Sequence, residues 1–310
     1  NAAHILGSAS VHLHIGDGAH NIMYSGDFKF GFTRLFNNME ANYPRLETLL
    51  IESTYGGNDD VFPQRMIAED RLINIINETV ESGGNVLIPV FAVGRSQEVM
   101  LVLEEYFRRN KLKVKNVYID GLIKEVCAVH TVYPEYLRVN VQKRILQNNS
   151  PFSSPLFKTV ESKAEREAVI NDTGNVILAT SGMLTGGPSV EYFNRLASNE
   201  KNKLIFVGWQ GEGSLGRKLQ SGLKEMALPA ADGKLRTTPI KIETLTIEGF
   251  SGHSDRAQLT AYLSALNPTP KRILVGHGEK DKSISFAKYV ASRFKVNATA
   301  PKILDCIRVR

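Results

Sequence analysis

The 310-residue sequence predicts an α/β protein in which one domain is inserted into another. Three observations predict it. From about residue 56 onward, helical and strand patterns alternate, which argues for a parallel sheet covered by helices. The two ends of the chain differ from this middle, so the outer domain is expected to be built from both termini. Near the C-terminus, two apolar strands each run into a glycine–histidine pair followed by a helix, at Gly252-His253-Ser254 and Gly276-His277-Gly278.

The elements follow in order. Residues 9–15 and 20–25 read as two strands, with Gly16-Asp17-Gly18 between them as a hairpin turn. Glu47-Thr-Leu-Leu-Ile51 is a short apolar run suited to a buried strand that ends at Glu52. A helix is expected over 63–81, stopped by Ser82-Gly83-Gly84. A strand at 85–90, a helix at 95–110 and a strand closing at Tyr118-Ile119-Asp120 come next, with another helix behind it. After an irregular patch near 147–157, a helix is expected at 161–171, a strand at 175–180, a helix at 188–198 and a strand at 203–208. A long strand over 240–247 leads towards His253 and a helix at 255–266. Strand 272–275 leads to His277 and a helix at 283–294.

Composition narrows the class. Hydrophobic residues make up 42% and charged residues 23%, so a long disordered chain is excluded. Two cysteines, Cys127 and Cys306, cannot staple a chain of this size. No apolar run approaches the ~18 residues of a membrane span, and no signal peptide is visible, so the expected compartment is the cytoplasm. The chain opens Asn-Ala-Ala-His without a Met, from which it is expected to begin inside a domain. The net charge is +6, and residues 271–310 alone hold ten Lys/Arg against three Asp/Glu. Such a basic excess attracts polyanions such as nucleic acid, or is simply a solvated face.

The chemistry-bearing residues lie at strand ends. Asp27 follows strand 20–25, Glu52 ends strand 47–51, and His253 and His277 each follow an apolar strand. Loops converge at the carboxyl ends of strands in open α/β sheets, and ligands bind there. Each residue alone is more often a cap or surface residue, and Ser254 or Asp255 is simply a helix N-cap candidate. Together, histidine nitrogen and aspartate oxygen suit a divalent metal such as zinc.

At this point the sequence resembles a known family. Asn1-Ala-Ala-His-Ile-Leu-Gly-Ser-Ala9, Ser25-Gly-Asp27, Ile51-Glu-Ser-Thr-Tyr-Gly56, Gly249-Phe-Ser-Gly-His-Ser-Asp255 and Val275-Gly-His-Gly278 occur in the order seen in β-CASP nucleases. Pro89-Val-Phe-Ala-Val-Gly-Arg-Ser-Gln-Glu98 and Thr180-Ser-Gly-Met-Leu-Thr-Gly-Gly-Pro188 support the likeness, which spans essentially the whole chain. The subgroup it most resembles is the archaeal cleavage and polyadenylation specificity factor type, which carries KH domains upstream. The resemblance implies a metallo-β-lactamase αββα fold, here lacking its first half, with an inserted parallel-sheet β-CASP domain. The implied divisions are 1–55 and 244–310 for the lactamase-type domain and 56–243 for the insert. It implies two zinc ions in the full-length parent, with His4, Asp27 and His277 as metal ligands and Asp27 as the bridging carboxylate. It also implies that His253 is a general acid for the leaving oxygen and that Glu52 holds it.

One departure stands out. The family's His-x-His-x-Asp-His motif, expected before His4, is absent. The stretch His12-Leu-His-Ile-Gly-Asp-Gly-Ala-His20 starts like it but has one residue too many before the aspartate. His12 and His14 share one strand face, and the glycines explain Asp17, so this is read as a structural hairpin. That leaves three ligands for two ions, where zinc sites usually take about three or four protein ligands each. The fragment alone is therefore expected to bind metal weakly and to be inactive.

Further residues are candidates for RNA contact. Ser181-Gly182 opens a strand-to-helix loop whose N–H groups can receive phosphate. Arg95 opens a helix, and Arg217 and Lys218 follow a glycine loop, from where each can reach a phosphate. A plain turn and surface cations are the alternative. Trp209, the only tryptophan, is expected to be a packing residue. Gly211-Glu-Gly-Ser-Leu-Gly216 matches a dinucleotide fingerprint. It sits late in the alternating region, and a loop with Pro229, Asp232 and Gly233 replaces the acid-ended strand that the fingerprint requires.

The resemblance thus implies a zinc-dependent ribonuclease hydrolysing single-stranded RNA in 3′-end processing and transcription termination. Endonuclease action is expected first, with 5′→3′ exonuclease activity alongside. The implied partners are RNA, a second copy through the C-terminal region, and RNA polymerase or other processing factors. The alternative is a non-catalytic RNA-binding scaffold of the same family.

Overall fold

The computed structural model describes residues 1–229 and 235–309; Asp232, Gly233 and Arg310 lie outside them. The chain forms β1 (Val11–Ile15), β2 (His20–Tyr24), β3 (Thr48–Glu52), α1 (Arg65–Glu81), β4 (Val86–Pro89), α2 (Arg95–Arg108), β5 (Val117–Asp120), α3 (Ile123–Val132) and α4 (Val139–Leu146). It continues through β6 (Phe157–Thr159), α5 (Lys163–Asn171), β7 (Val176–Ala179), α6 (Pro188–Leu196), β8 (Lys203–Phe206), α7 (Leu215–Gln220), β9 (Glu225–Pro229), β10 (Leu235–Pro239) and β11 (Glu243–Thr246). It closes with α8 (Arg256–Ala265), β12 (Arg272–Gly276), α9 (Lys280–Phe294) and β13 (Asn297–Thr299). Among the described residues, no helix is long and apolar enough to cross a membrane.

Two compact units result, one from Asn1–Phe62 with Gly252–Arg310 and one from Pro63–Ser251. The changeovers thus fall later in the chain than the expected 55/56 and 243/244. The second lies beyond β11 because β11 hydrogen-bonds in parallel to β8 and completes the inserted sheet. The strand expected over 240–247 is correspondingly shorter. It is interrupted at Ile240–Ile242, whose N–H groups bond to the carbonyls of Lys224 and Ala197.

The first unit holds a five-stranded sheet in the order β1-β2-β3-β12-β13. Only β1 and β2 are antiparallel; β2, β3, β12 and β13 run parallel. Strand alternation sends Met23, Leu49, Ile51, Ile273 and Val275 to one face, where they pack with Leu259, Tyr262 and Leu263 of α8 and Phe286 and Val290 of α9. Each fully buried large side chain contributes about 1.5–3 kcal/mol. On the other face Val11, Leu13, Ile15 and Tyr24 are about half exposed. The α8 helix begins at a capping box, in which the Asp255 carboxylate accepts from Gln258 N and the Gln258 side chain accepts from Asp255 N.

The hairpin read from the sequence is present, with Ile15 opposite His20 across the Gly16–Gly18 turn. His12 and His14 share a face with ring centroids 4.5 Å apart, and His20 Nε2 lies 3.0 Å from Thr48 Oγ1. Buried Asn21 ties this hairpin to β3: its N–H and Nδ2 donate to Glu47 Oε2 at 2.7 and 2.8 Å. The Arg45 guanidinium beside Glu47, together with these amides, lowers its carboxyl from 4.5 to about 2. A carboxylate with a depressed native pKa contributes stability above its unfolded value and loses it as pH falls through the native one. Acid should therefore loosen the hairpin between pH 4.5 and about 2. Thermal melts across that window should show a step that Glu47→Gln lacks.

The second unit holds a six-stranded, all-parallel sheet in the order β11-β8-β4-β7-β5-β6. All four residues of β4 and of β7 are buried, as strands covered on both faces require. Leu87, Ile177, Leu204 and Phe206 pack with Tyr192, Phe193 and Leu196 of α6 on one side of this sheet. The short strands β6, β9, β10 and β13 and the helix α4 are additions to the sequence reading. Their three to eight residues carry too few apolar positions to show a period.

Candidate metal centre

The parallel register brings the strand-end residues together. In β3 and β12, Glu52 stands opposite Gly276, the residue before His277. In β2 and β3, Tyr24 stands opposite Leu50, so the turn to Asp27 leaves the sheet at the same end. Asp27, Glu52, His253 and His277 each offer a ligand atom, and those four atoms all lie within 4.8 Å of one another.

Each side chain is held by its own local device. Glu52 is almost fully buried, with a side-chain exposure of 1%. Its carboxylate accepts from Phe28 N at 2.8 Å and from Thr54 Oγ1 at 2.7 Å. His253 Nδ1–H donates to Oε2 at 2.8 Å, with Oε1 at 3.0 Å. Burial pushes the Glu52 carboxyl up, but the hydrogen bond and charge of His253, with the Phe28 and Thr54 donors, bring it below the ordinary glutamate value. The backbone around His253 is fixed from segment 28–30. Lys29 Nζ donates to the His253 carbonyl at 2.8 Å, Ser254 N donates to the Phe28 carbonyl at 3.0 Å, and Phe30 N donates to Ser254 Oγ at 2.8 Å.

His277 sits in the left-handed region with φ of +47°. Such a conformation in a non-glycine residue is sparsely populated and clusters at functional sites. Its carbonyl accepts from Ser53 N at 3.2 Å, and the neighbouring Gly276 carbonyl accepts from Ser53 Oγ at 2.8 Å. The next residue must be glycine, because a Cβ on Gly278 would lie 2.4 Å from the Ser53 carbonyl oxygen. His277 Nδ1 lies 3.0 Å from Asp27 Oδ1.

His4 comes from a tight turn capped by Ser8 Oγ, which accepts from His4 N at 3.0 Å. His4 Nδ1–H donates to the Gly252 carbonyl at 3.0 Å, and its ring stands 4.5 Å from that of His253. A histidine whose Nδ1–H is tied to a carbonyl presents Nε2 as a lone pair, the usual arrangement of a metal ligand. His4 has this donor chemistry but lies outside the group of four, which Asp27 and His277 join. His12, His14 and His20 do not join the group found among the described residues.

The structure separates the candidate RNA contacts. Arg95 is buried, 6% exposed, and its Nη1 donates to the Phe250 carbonyl. This corrects the expectation that it faces a phosphate: the guanidinium fixes the segment leading to Ser251 instead. Arg65 works on the same segment, donating to the Gly249 carbonyl at 2.9 Å while pairing with Glu69 and Glu98 at 2.8 and 2.7 Å. Arg217 and Lys218 are exposed on α7. Ser181 Oγ accepts from Thr185 N at 3.0 Å and donates to the Gly186 carbonyl at 3.1 Å, closing the loop after β7. Gly182 is buried, and its carbonyl accepts from Gln210 Nε2 at 3.0 Å. Gly216 of the glycine fingerprint has a packing reason, since a Cβ there would meet Gln210 Oε1 at 1.8 Å. Sequence reading overlooked Gln210, Lys29 and Thr54. A lysine between two phenylalanines and a threonine two residues after a glutamate carry no pattern of their own, although Thr54 lies inside the Ile51–Gly56 motif.

Comparison with known proteins agrees with this architecture. Residues 96–219 match the Beta-Casp domain, and residues 237–301 match the Zn-dependent metallo-hydrolase RNA specificity domain. Transcription termination factor FttA of Methanocaldococcus jannaschii is 53% identical over 312 residues, covering 100% of this chain and 49% of that protein. The Thermococcus kodakarensis protein of the same name is 49% identical over 313 residues, covering 100% of this chain and 48% of that protein. That of Cenarchaeum symbiosum is 43% identical over 311 residues, again covering 100% of this chain and 48% of that protein. The chain thus spans about half the length of these relatives. With both family domains in sequence and this identity along its whole length, the chain belongs to the β-CASP family of zinc-dependent metallo-hydrolases.

Proposed function

We propose that this chain is the zinc-hydrolase portion of a ribonuclease that cuts single-stranded RNA to a 3′-hydroxyl and a 5′-phosphate. It acts in RNA 3′-end processing and transcription termination, as an endonuclease with 5′→3′ exonuclease activity alongside. The observation that carries the reading is the convergence of Asp27, Glu52, His253 and His277 within 4.8 Å in a chain of this family. His4, Asp27 and His277 hold zinc, which when bound supplies water activation and neutralisation of phosphate charge. His253 gives a proton to the departing 3′-oxygen. Its Nδ1–H stays on the buried Glu52 carboxylate, which orients the ring. Ser181, Arg217 and Lys218 line the path of the RNA backbone in the inserted unit, with buried Gly182 shaping the loop behind Ser181.

The wider assignments belong to the same proposal. Two zinc ions bind in the longer protein, which works in the cytoplasm with RNA polymerase or other processing factors. A homodimer forms through the C-terminal region, where Ile303 and Leu304 are 94% and 96% exposed and available to a partner. The relatives' name, transcription termination factor, supports the assignment to termination.

In the longer protein containing this chain, His253→Ala should cut RNA cleavage by roughly 10²–10⁴-fold and leave zinc content at the parental level. Unchanged cleavage would sink the proposal, and loss of zinc would make His253 a ligand instead. The 310 residues alone should bind zinc weakly and leave RNA intact. Two tightly held zinc ions with cleavage by this chain alone would overturn the ligand count.

A further inference from the structure

Thr54 makes more contacts at the centre than any assigned role explains. Its Oγ1 lies 2.7 Å from Glu52 Oε2 and 3.3 Å from each of His253 Nδ1, His277 Nδ1 and the His277 carbonyl oxygen. A hydroxyl has one proton to give and two lone pairs. The shortest contact takes the proton, so Thr54 donates to Glu52. The His277 carbonyl then receives nothing from it. His253 Nδ1–H has a nearer acceptor in the same carboxylate, at 2.8 Å. The remaining donor is His277 Nδ1–H, which Thr54 Oγ1 shares with Asp27 Oδ1 at 3.0 Å. Asp27 is itself one of the groups able to hold a metal. Once its carboxylate turns to a metal, Thr54 is the acceptor left for that ring N–H.

We propose that Thr54 is a positioning residue that links the metal ligand His277 to the Glu52–His253 pair. The chain runs from His277 Nδ1–H to Thr54 Oγ1, and from Thr54 Oγ1–H to Glu52 Oε2, where His253 Nδ1–H also arrives. With Asp27 turned to a metal, each of the three donors has an acceptor within the chain. It rests on the zinc-hydrolase reading above for His277 as a ligand. Partners of this kind fix the tautomer and the ring orientation of a metal-bound histidine, and their loss typically costs roughly 10–100-fold in metal affinity.

The test measures zinc affinity of the longer protein containing this chain by competition with a chromophoric chelator, for the parent, Thr54→Val and Thr54→Ser. Valine keeps the volume and removes the hydroxyl, while serine keeps the hydroxyl. Thr54→Val should bind zinc at least about tenfold more weakly and Thr54→Ser within about threefold of the parent, with all three zinc-free chains melting alike. Parental affinity in Thr54→Val would overturn the inference. So would an equal loss in Thr54→Ser, which would place the effect in methyl packing. No RNA enters the measurement, so such a result would leave the ribonuclease reading to stand or fall on His253→Ala.

Discussion

Glutamine in place of Glu52 is expected to destabilise the first unit by about 2–4 kcal/mol and to abolish cleavage in the longer protein. The carboxylate accepts from Phe28 N, Thr54 Oγ1 and His253 Nδ1 at 2.7–3.0 Å in a nearly water-free pocket. A carboxylate has two acceptor oxygens, whereas a glutamine amide has one and turns an NH₂ towards the rest. At least one of the three donors then loses its partner while buried. The substitution also removes the carboxylate that orients the His253 ring. Urea unfolding of the zinc-free chain measures the first effect and RNA cleavage the second. A stability change under about 1 kcal/mol would show that water replaces the lost acceptor, contrary to the burial seen here.

Alanine at Gly278 should be more damaging than alanine at Gly276, the glycine on the other side of His277. The new Cβ would lie 2.4 Å from the Ser53 carbonyl oxygen and 2.8 Å from its carbon. Ser53 cannot retreat cheaply, because its N–H and hydroxyl hold the His277 and Gly276 carbonyls. The expected cost is about 1–3 kcal/mol, the usual range for a forced contact in a packed site. Displacing the 276–278 turn should also weaken zinc binding, since His277 occupies a strained φ that this turn enforces. Gly276→Ala supplies the comparison, because its added Cβ meets nothing within 4 Å. Melting temperature and zinc titration of both variants check the prediction, and equal behaviour of the two would refute it.

Much of the site was legible before any fold was known. Asp27, Glu52, His253 and His277 all fall at the ends of apolar runs, and strand ends are where α/β sheets gather ligands. The rest was hidden for physical reasons. Arg95 opens a helix, and only packing decides that its guanidinium meets the Phe250 carbonyl inside the insert and not solvent. Thr54 and Lys29 act through contacts with residues about 200 positions away. Local pattern carries no information on such pairs. The strand expected over 240–247 failed because alternation of Ile240 and Ile242 fits a strand, while their N–H groups find acceptors outside any ladder.

The order of motifs along the chain determined the family, the inserted architecture and the residue types able to hold zinc. It did so because periodic apolar runs and glycine-bounded polar residues are local features. The tertiary structure decided which nitrogen of each histidine is engaged, which cations are buried, and that Thr54 stands between Glu52 and His277. Those outcomes depend on parallel strand register, which sets residues 27, 52 and 277 at one end of a sheet. Register is a long-range property, chosen by the packing of whole faces and not by any one segment.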